Sequence, residues 1–525
     1  MISGYTFNDR DIRLGSASSY STYVFFSFGL AVLWIASTVC YRLFLSPLAR
    51  FPGPRLAAAS RLYELYFQLL KGGIFTWHID KLHAKYGPIV RVSPWELHIK
   101  DPDYYNTVYA GPGKHRNKDP WFSFIAYPES IFSTAGHELH RPRRKILSHF
   151  FKKNVVTELE SMIHESLRLL CRHFSTAAET NQPLELHAAF YSFTCDNLSQ
   201  YAFGRENGFH YLEENQITDT WKTRMTSLFE FCRINRHIPP LSYMARLAPS
   251  IVSWFVPRFR YVDQMEHDVK QKVKTVLNQH LNDKRTPQSP GAIYPSILAD
   301  PDVPPSEKRL RRLEDDAIFL LMAGTDAPSQ ALAITMFYIL DNHKVYQTLR
   351  SELSSELKNI AITPTLKQLE QVQYLSAVVR EGLRLSAIVT TRLPRSAPDE
   401  TLQYQQWQIP AGTFVSMSTY FILKDPKIFP NPEAFMPERW LLPTDQLREL
   451  EKHLVPASKG TLGCLGQNLA WAWMHLVLGT LLRRFDMALH ETTRKNVEMT
   501  RDNFIGQTDV NMNNVNVKVL EEYSD

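Results

Sequence analysis

Long stretches of helical periodicity constrain this chain more than any other feature of its sequence. Apolar residues recur in them every three or four positions, the spacing that places side chains on one face of an α-helix. These stretches are Glu158 to Phe174, Ala189 to Phe203, Val262 to Asn282, Arg309 to Asn342, Lys344 to Asn359, Gln368 to Leu385 and Leu465 to Phe485. Because strands and helices do not alternate along the chain, a doubly wound nucleotide-binding fold is disfavoured.

Strand signals are short and scattered by comparison. They are PIVRVSP near residue 90, LHIK just after it, QWQIPAGTFVSM near residue 410 and VNVKVL near the end. With 525 residues, of which 44% are hydrophobic, the chain can bury a large core. We therefore predict a mainly α domain with a minor antiparallel β part. TPQSPGAIYP, from Thr286 to Pro295, is rich in turn-forming residues and is expected to be an exposed loop.

Charge and cysteine content exclude several classes of protein. The formal charge is +6, and no run of Lys and Arg is dense enough to indicate a nucleic-acid groove. The excess of positive charge suits an acidic partner or a membrane surface. The five cysteines stand far apart without a CxxC pair, so neither a zinc site nor a disulfide framework is indicated. Cys171, Cys195 and Cys232 are expected to be core thiols.

A segment without Asp, Glu, Lys or Arg runs from Leu14 to Tyr41, and its apolar centre is long enough to cross a bilayer as a helix. A cleaved signal peptide is the alternative, but the apolar run starts late and lacks a small-x-small cleavage site. Arginines that follow the run place the remainder of the chain on the cytosolic side. The expected organisation is a short lumenal N-terminus (1–22), a transmembrane helix (23–45), a stiff proline-rich linker (46–55) and one domain (56–525).

KGTLGCLGQ, from Lys459 to Gln467, places glycine at every third position around Cys464. A dinucleotide loop would follow a buried strand and a P-loop would carry its lysine after the glycines, so neither fits. An apolar helix follows, and the N–H groups at its start should lower the pKa of Cys464 and favour thiolate. Thiolate facing a wide planar ligand is the arrangement of an axial cysteine on haem iron. A nucleophilic cysteine would need a nearby base, and His475 lies about three turns along the helix.

From these residues onward the chain resembles the cytochrome P450 family. Cys464, with Gly460 four residues before it and Gly466 two after it, resembles the haem-binding signature FxxGxRxCxG. The resemblance implies a triangular helical prism that encloses haem b, with Cys464 as the iron ligand and Gly460 and Gly466 beside the cofactor. It also implies that the transmembrane helix precedes this prism.

Other family motifs follow in the expected order. EGLR supplies Glu381 and Arg384 of the ExxR helix, and FMPERW supplies Arg439. The resemblance implies that these three form a buried ionic triad behind the haem. Without it, Glu381 and Arg384 would be read as a solvated surface pair.

The resemblance also implies which side chains hold the haem propionates. HELHRPRRKILSHFF is similar to the helix that supplies such contacts, here His140 and Arg144. TTRLPR, after the ExxR helix, implies Arg392, with Arg395 as the alternative. His140 and Arg144 have a second interpretation, as part of a basic, solvated helix face.

The cysteine loop departs from the family pattern at two positions. Leu462 stands where the family has an arginine that pairs with a propionate, so a charge-assisted hydrogen bond is absent and more of that task falls to His140, Arg144 and Arg392. Ala457 stands where a phenylalanine shields the sulfur, which alters the surroundings of the thiolate.

The segment MAGTDAPS departs from the family's AGx(D/E)T(T/S) pattern. Asp326 remains, but Ala327 replaces the alcohol that organises water for proton delivery. Thr325 and Ser329 lie on another face of the helix, which leaves Gln330 as the nearest polar side chain. We expect Asp326, Ala327 and Gln330 to form the catalytic group.

Pro328 falls in the same helix and cannot donate a hydrogen bond to the carbonyl of Gly324. A kink is therefore expected at this point. The freed carbonyl could hold a water molecule in place of the missing hydroxyl.

The resemblance implies an oxidoreductase, a P450 monooxygenase that inserts an oxygen atom from O2 into a C–H or C=C bond. GPIVRVSPWELHIKDPDYY and RNKDPWF are similar to membrane-bound fungal members of secondary metabolism, so a lipophilic terpenoid or polyketide intermediate is the expected substrate. The pocket should be lined by Trp121 to Ile125, Phe319 to Ala327 and Ala387 to Thr391. FCRINRHIPPLSYM and SIVSWFVP either enter the bilayer or belong to the core.

Electrons must come from a separate protein, because the chain contains no flavin or nicotinamide module. NADPH-cytochrome P450 reductase is the expected donor, with cytochrome b5 as a second candidate, at the endoplasmic reticulum membrane with a cytosolic catalytic domain. A basic patch of Lys459, Arg483, Arg484 and the Arg143 to Lys145 cluster would suit an acidic partner. The alternatives are an O2-independent rearrangement, dehydration or cyclisation, or haem binding without turnover.

Overall fold

The computed structural model describes residues 9–121, 127–282, 291–359, 363–509 and 512–523. The helices in these ranges are α1 Asp9–Cys40, α2 Arg55–Ala59, α3 Leu62–Leu65, α4 Phe75–Tyr86, α5 Tyr105–Val108, α6 His137–Ser148, α7 Lys153–Glu158, α8 Glu160–Thr180, α9 Leu186–Phe203, α10 Thr220–His237, α11 Pro240–Leu247, α12 Pro249–Phe255, α13 Phe259–Asn282, α14 Ile293–Ala299, α15 Leu310–Asp341, α16 His343–Glu356, α17 Leu366–Gln371, α18 Gln373–Ser386, α19 Thr419–Leu423, α20 Thr444–Lys452 and α21 Gln467–Arg484. The strands are β1 Ile89–Ser93, β2 Glu96–Ile99, β3 Asn117–Lys118, β4 Leu184–Glu185, β5 Arg395–Ser396, β6 Leu402–Tyr404, β7 Trp407–Ile409, β8 Phe414–Ser416, β9 Phe485–Leu489, β10 Arg501–Asn503, β11 Ile505–Gln507 and β12 Asn516–Glu522.

The strands form small sheets beside a much larger helical body. One sheet has the order β1-β2-β8-β5-β3, another has the order β4-β12-β9, and β6–β7 and β10–β11 form two-stranded pairs. Every pairing is antiparallel except β2–β8, which is parallel. The prediction of a mainly α domain with a minor antiparallel β part is confirmed, and the strand signals fall on β1, β2, β7, β8 and β12.

Helix α15 forms the centre of the helical body and contacts α9, α13, α18 and α21. Its contact with α18 is close, because a Cβ atom on Gly382 would lie 2.1 Å from the Thr335 hydroxyl oxygen. Glycine at this position therefore sets the spacing between the helix that carries Asp326 and the helix that carries Glu381. Over its 32 residues α15 passes Pro328 without ending.

Two local predictions need correction. The segment Gln368 to Leu385 is two helices, α17 and α18, because Val372 is extended between them and the Glu352 carboxylate accepts the Tyr374 N–H at the start of α18. The expected loop Thr286 to Pro295 lies partly outside the described residues. Its end is the start of α14, where Ile293 and Tyr294 are buried in the core.

The N-terminal region contains the expected apolar helix. Tyr23 to Leu45 is long and apolar enough to cross a membrane, and none of it is buried within the protein. The proline-rich segment after it is not a free spacer, because Leu48 and Phe51 are buried and the Phe51 ring stacks on Trp407 at 4.9 Å. Residues of the predicted linker therefore pack on the domain that follows it.

Candidate active site

The loop that carries Cys464 is docked on an earlier part of the chain. Cys464 N–H donates to the Ala457 carbonyl at 2.8 Å, and Thr461 N–H donates to the Ala110 carbonyl at 3.1 Å. Gly460 has a φ of +74°, and a Cβ atom there would lie 2.2 Å from the Ala110 oxygen. Gly460 is thus required by its backbone conformation and by this close approach.

Gly466 has a different surrounding from Gly460. It precedes α21 directly, and no heavy atom lies within 4 Å of the position a Cβ atom would take. The backbone beside Cys464 therefore leaves clearance for a flat group on this side.

Two opposing effects act on the Cys464 thiol. Cys464 is exposed, but desolvation by the surrounding chain raises the pKa of its thiol above the ordinary value, while the Gly466 N–H and the Arg144 guanidinium act in the other direction. The expected net lowering is therefore wrong, because desolvation outweighs the donors at the helix start. Those donors still favour thiolate, and a bound metal ion deprotonates a coordinating thiol outright.

Four basic side chains from three segments converge near this loop, and we call them the basic cluster. They are Lys118 of β3, His140 and Arg144 of α6, and Arg395 of β5. Burial and the charges of the other three lower the pKa of His140 to about 2. In the part of the chain that the structure describes, no carboxylate pairs with any of the four. Lys118 Nζ donates to the carbonyls of Ile131 and Phe132, and Arg395 Nη1 donates to that of Pro394.

The basic cluster fits an anionic group that is not part of the chain. Buried cations without a counterion are unfavourable, and Arg395 Nε is buried without an acceptor. The cluster and the thiol interact electrostatically through Arg144, so one ligand with anionic arms can reach both. Haem propionates and haem iron have this combination. The donors present therefore fit haem.

The structure does not support the propionate role predicted for Arg392. Its guanidinium is fully buried between Glu64 and Glu96, with four hydrogen bonds of 2.7–3.0 Å to their carboxylates. Four of its five N–H groups are bonded in this way and its charge is paired with two carboxylates, so Arg392 is committed to Glu64 and Glu96. Arg395, the alternative propionate partner, is the arginine of this motif that lies in the basic cluster.

Glu381, Arg384 and Arg439 meet in the interior. Arg384 donates twice to Glu381 at 2.8 Å, and Arg439 Nε donates at 3.2 Å. Trp440 Nε1 adds a bond to the same carboxylate at 2.9 Å. Since Glu381 and Arg384 have no exposed surface, the interpretation as a solvated pair is wrong.

Arg384 extends this buried group to the segment before Arg439. Its Nη atoms donate to the carbonyls of Leu423, Pro432 and Ala434. The group thus fastens α18 to the chain that leads toward the cysteine loop.

Both carboxylate oxygens of Asp326 accept a hydrogen bond. The Tyr191 hydroxyl of α9 donates to Oδ1, and Gln330 Nε2 donates to Oδ2 at 2.9 Å. Burial raises the pKa of Asp326 to about 7, although both donors act in the other direction. Gln330 is therefore a partner of Asp326 and is not directed to the side of Ala327. Sequence reasoning missed Tyr191.

Ala327 belongs to the one accessible stripe in this part of α15. Phe319, Leu320, Ala323, Gly324 and Ala327 retain accessible surface at helical spacing, while the residues between them are buried. The Thr325 hydroxyl accepts from Trp221 Nε1 at 2.9 Å, and the Ser329 hydroxyl pairs with Thr194 at 2.8 Å. Both hydroxyls thus point to α9 and α10, as the helical spacing predicts. Neither replaces an alcohol at Ala327.

Aromatic side chains continue this accessible stripe. Phe132 stacks on Phe319 at 4.6 Å and meets Phe504 edge to face at 5.5 Å. Half-buried Ile388 and Val389 pack on the same core. Sequence reasoning missed Phe132 and Phe504, which come from segments without a family motif.

Other predicted pocket residues are placed differently. Residues 122–125 of the loop Trp121 to Ile125 lie outside the described ranges. Trp121 Nε1 donates to the carbonyl of Arg236. Thr390 and Thr391 are fully buried and bonded to Asp502 and Arg236, so they do not face an apolar ligand.

The predicted basic patch is smaller than expected. Arg143 is buried and pairs with Glu307 at 3.2 Å, and Arg483 is buried with a bond to the carbonyl of Leu357. Arg484 pairs with Glu522. These three arginines make contacts within the fold and do not form a free basic surface. Arg141 and Lys145 of α6 are exposed.

Known proteins are similar in sequence to this chain over nearly its whole length. The family model described as Cytochrome P450 matches residues 58–512. Cytochrome P450 monooxygenase astB of Aspergillus terreus is 37% identical over 476 residues, with 90% of this chain and 92% of that protein covered. Cytochrome P450 monooxygenase TRI4 of Fusarium sporotrichioides is 35% identical over 499 residues, with 93% and 95% covered. Conidiogenone synthase PchP450 of Penicillium rubens is 35% identical over 486 residues, with 91% and 94% covered.

These matches agree with the geometry of the site. The family's haem-thiolate cofactor needs a cysteine loop and an anion-binding cluster, and both are present. The chain belongs to the cytochrome P450 family, and it is a monooxygenase.

Proposed function

We propose that this monooxygenase binds haem b and inserts one oxygen atom of O2 into a C–H or C=C bond of a lipophilic secondary metabolite, a terpenoid or polyketide intermediate. The observation that carries the proposal is the convergence of the basic cluster and Cys464, linked by Arg144. The aromatic wall of Phe132, Phe319 and Phe504 supports an apolar substrate. A relative named as a synthase of conidiogenone supports a small organic product.

The residues have separate tasks in this proposal. Cys464 would ligate the iron, and Lys118, Arg144 and Arg395 would neutralise the propionates while neutral His140 donates an N–H. Bound haem with a thiolate ligand supplies the activation of dioxygen. Glu381, Arg384 and Arg439 would keep the cysteine loop in place.

The reduced carbon monoxide difference spectrum tests the thiolate assignment. The expected result is the red-shifted Soret band of a thiolate-ligated haem in the wild type and its loss in Cys464→Ala. A band without this shift in well-folded wild-type protein would overturn the assignment of Cys464.

Arg395 and Arg392 offer a matched pair for testing the basic cluster. Arg395→Gln removes a buried cation that lacks a carboxylate partner, so haem should dissociate faster by about tenfold or more while the fold remains. Arg392→Gln leaves Glu64 and Glu96 buried without their shared cation, so it should mainly lower the unfolding temperature. Haem transfer to apomyoglobin and thermal unfolding give the two readouts. The reverse pattern would restore Arg392 as the propionate partner.

Proton supply at the oxygen-binding side is the unusual part of the site. Ala327 has no hydroxyl, and Asp326 is bonded to Tyr191 and Gln330. We propose that protons reach the site through Asp326 with ordered water or with a hydroxyl of the substrate.

Ala327→Thr restores the missing alcohol on the accessible stripe of α15. The amount of hydrogen peroxide released per NADPH should fall by a factor of about two or more with a poor substrate. The reason is that the new hydroxyl organises the water that delivers protons to the site. Ala323→Thr, one turn earlier on the same stripe, is the control. An equal fall in both variants would show that filling space, not the hydroxyl, is responsible.

An O2-independent rearrangement, dehydration or cyclisation is the second candidate, and the alanine at position 327 favours it. Turnover of the substrate without NADPH or O2 would identify this reaction. A requirement for both compounds would exclude it.

Electrons are proposed to come from NADPH-cytochrome P450 reductase, with cytochrome b5 as a further donor. Arg141 and Lys145, exposed on the helix that also carries Arg144, support an acidic partner on this side.

We further propose a single-pass anchor in the endoplasmic reticulum membrane, with residues 1–22 lumenal and the domain cytosolic. Tyr243, Leu247, Trp254 and Phe255 of α11 and α12 are strongly exposed, and Leu247 retains 87% of its accessible surface. Apolar side chains exposed at this density support contact with the bilayer. This favours the membrane interpretation for the exposed side chains of α11 and α12, whereas Phe231, Cys232 and Val252 of the same segments are buried in the core.

A further inference from the structure

A group of metal-binding side chains lies outside the haem site. His115 precedes β3, while His137 and Glu138 open α6. One ligand atom from each side chain lies within 4.8 Å of the other two. The His137 N–H donates to Asn117 Oδ1 at 2.8 Å, which fixes the two segments against each other.

A carboxylate orients the first imidazole of this group. Asp399 Oδ2 lies 2.7 Å from His115 Nδ1, so the proton of the neutral ring is held at Nδ1. The Nε2 lone pair is left for a ligand, and Nε2 lies 4.0 Å from Glu138 Oε1. A carboxylate behind a metal-binding histidine is the usual outer contact of zinc sites.

The neighbouring cations do not neutralise this group. Lys114 and Arg116 flank His115, but both pair with Glu400 at 2.7 Å. Within the described ranges, Glu138 and Asp399 have no Lys or Arg partner and pair only with the imidazole of His115. Negative charge therefore remains beside two imidazoles, an arrangement that favours a divalent cation.

We propose that His115, His137 and Glu138 bind one Zn²⁺ ion, with water in the fourth position. Two imidazoles and one carboxylate are a ligand set that zinc accepts in tetrahedral geometry. The side chain of Glu138 is 85% exposed, so it can rotate to close the distances while Asp399 keeps the His115 ring in place.

The position of this site links it to the basic cluster, and this part of the inference rests on the proposed function. Each segment that contributes to this site also carries a member of the basic cluster. Lys118 follows His115 in the chain, and His140 and Arg144 lie on α6. Arg395 precedes Asp399 in the chain. A bound ion would therefore fasten together the three segments that hold the propionates. Haem should dissociate more slowly when zinc is bound.

Calorimetric titration of the full-length holoprotein with Zn²⁺ tests the site. The wild type should bind one ion, and His137→Gln should abolish this binding. Asp399→Asn should weaken it by about tenfold or more. His149→Gln, exposed at the other end of α6, is the control and should bind like the wild type. No binding by the wild type, or equal binding by His137→Gln, would overturn the proposal.

X-ray absorption at the zinc edge identifies the ligands independently of haem. Nitrogen and oxygen neighbours are expected, and a sulfur neighbour would assign the ion to a cysteine and overturn the site. Haem transfer to apomyoglobin with and without zinc tests the coupling. An unchanged rate would overturn the coupling, and it would leave both the haem site and the zinc site intact.

Discussion

Glu381→Gln should destabilise the fold by about 3–5 kcal/mol, because it leaves two buried guanidinium groups without their shared carboxylate. Arg384 would retain its bonds to backbone carbonyls, but these do not neutralise its charge. The measurement is the urea midpoint of the holoprotein, together with the yield of folded protein.

The chain provides a control with the same sequence spacing. Glu449 and Lys452 are also three residues apart, but they are exposed on α20. Glu449→Gln should leave the midpoint unchanged. Trp440→Phe removes one hydrogen bond from Glu381 and should cost about 1 kcal/mol, which gives a measurable value if Glu381→Gln fails to fold. A midpoint of Glu381→Gln close to that of the wild type would contradict the structural role of this group.

Asp326→Asn should change how stability depends on pH. The pKa of Asp326 is raised from its ordinary 3.8 to about 7 by burial, so the native state keeps its proton while the unfolded chain has already lost it. The stabilisation is complete below pH 3.8 and is lost as the pH rises toward 7. Each unit of pKa corresponds to ~1.4 kcal/mol, so the wild type should lose roughly 4 kcal/mol relative to the variant over this range.

The urea midpoints of the two proteins are measured from pH 4 to pH 8. Their difference reports the contribution of Asp326 alone, because the other titrating groups are common to both proteins. Asparagine keeps the Tyr191 bond on its oxygen, and Gln330 can rotate its amide to accept from the new NH2 group. The variant should therefore fold. Its peroxide release per NADPH should also rise. A difference that is constant with pH would show that Asp326 is ionised across the whole range.

The sequence patterns predicted the fold class and most of the long helices to within about six residues, but they missed α10 and merged α17 with α18. The successful predictions were possible because burial on helices such as α8 and α13 repeats at helical spacing. Cys464 and the Glu381 group were found because each lies in a short local motif. Helix breaks such as Val372 depend on a cap from another helix, Glu352, and have no local signal.

The contacts of the basic cluster could not be predicted in the same way. Arg392 and Arg395 lie three residues apart in one motif, and the choice between them depends on Glu64 and Glu96, which lie about 300 residues earlier. Lys118 is a lone lysine in a two-residue strand. Tyr191 reaches Asp326 only because α9 packs on α15. Each of these pairings is a property of tertiary packing.

The docking of the cysteine loop on residues 109–110 has a consequence for biosynthesis. The Tyr105 hydroxyl bonds to Ser458 across 353 residues of sequence, and Gly460 lies against Ala110. Contacts between such distant segments form late, because a long stretch of chain must be closed first. A ribosome also completes Lys118, His140, Arg144 and Arg395 long before it reaches Cys464. The nascent chain therefore has these basic side chains before it has Cys464, and on the proposed function we expect haem capture to follow the docking of the cysteine loop.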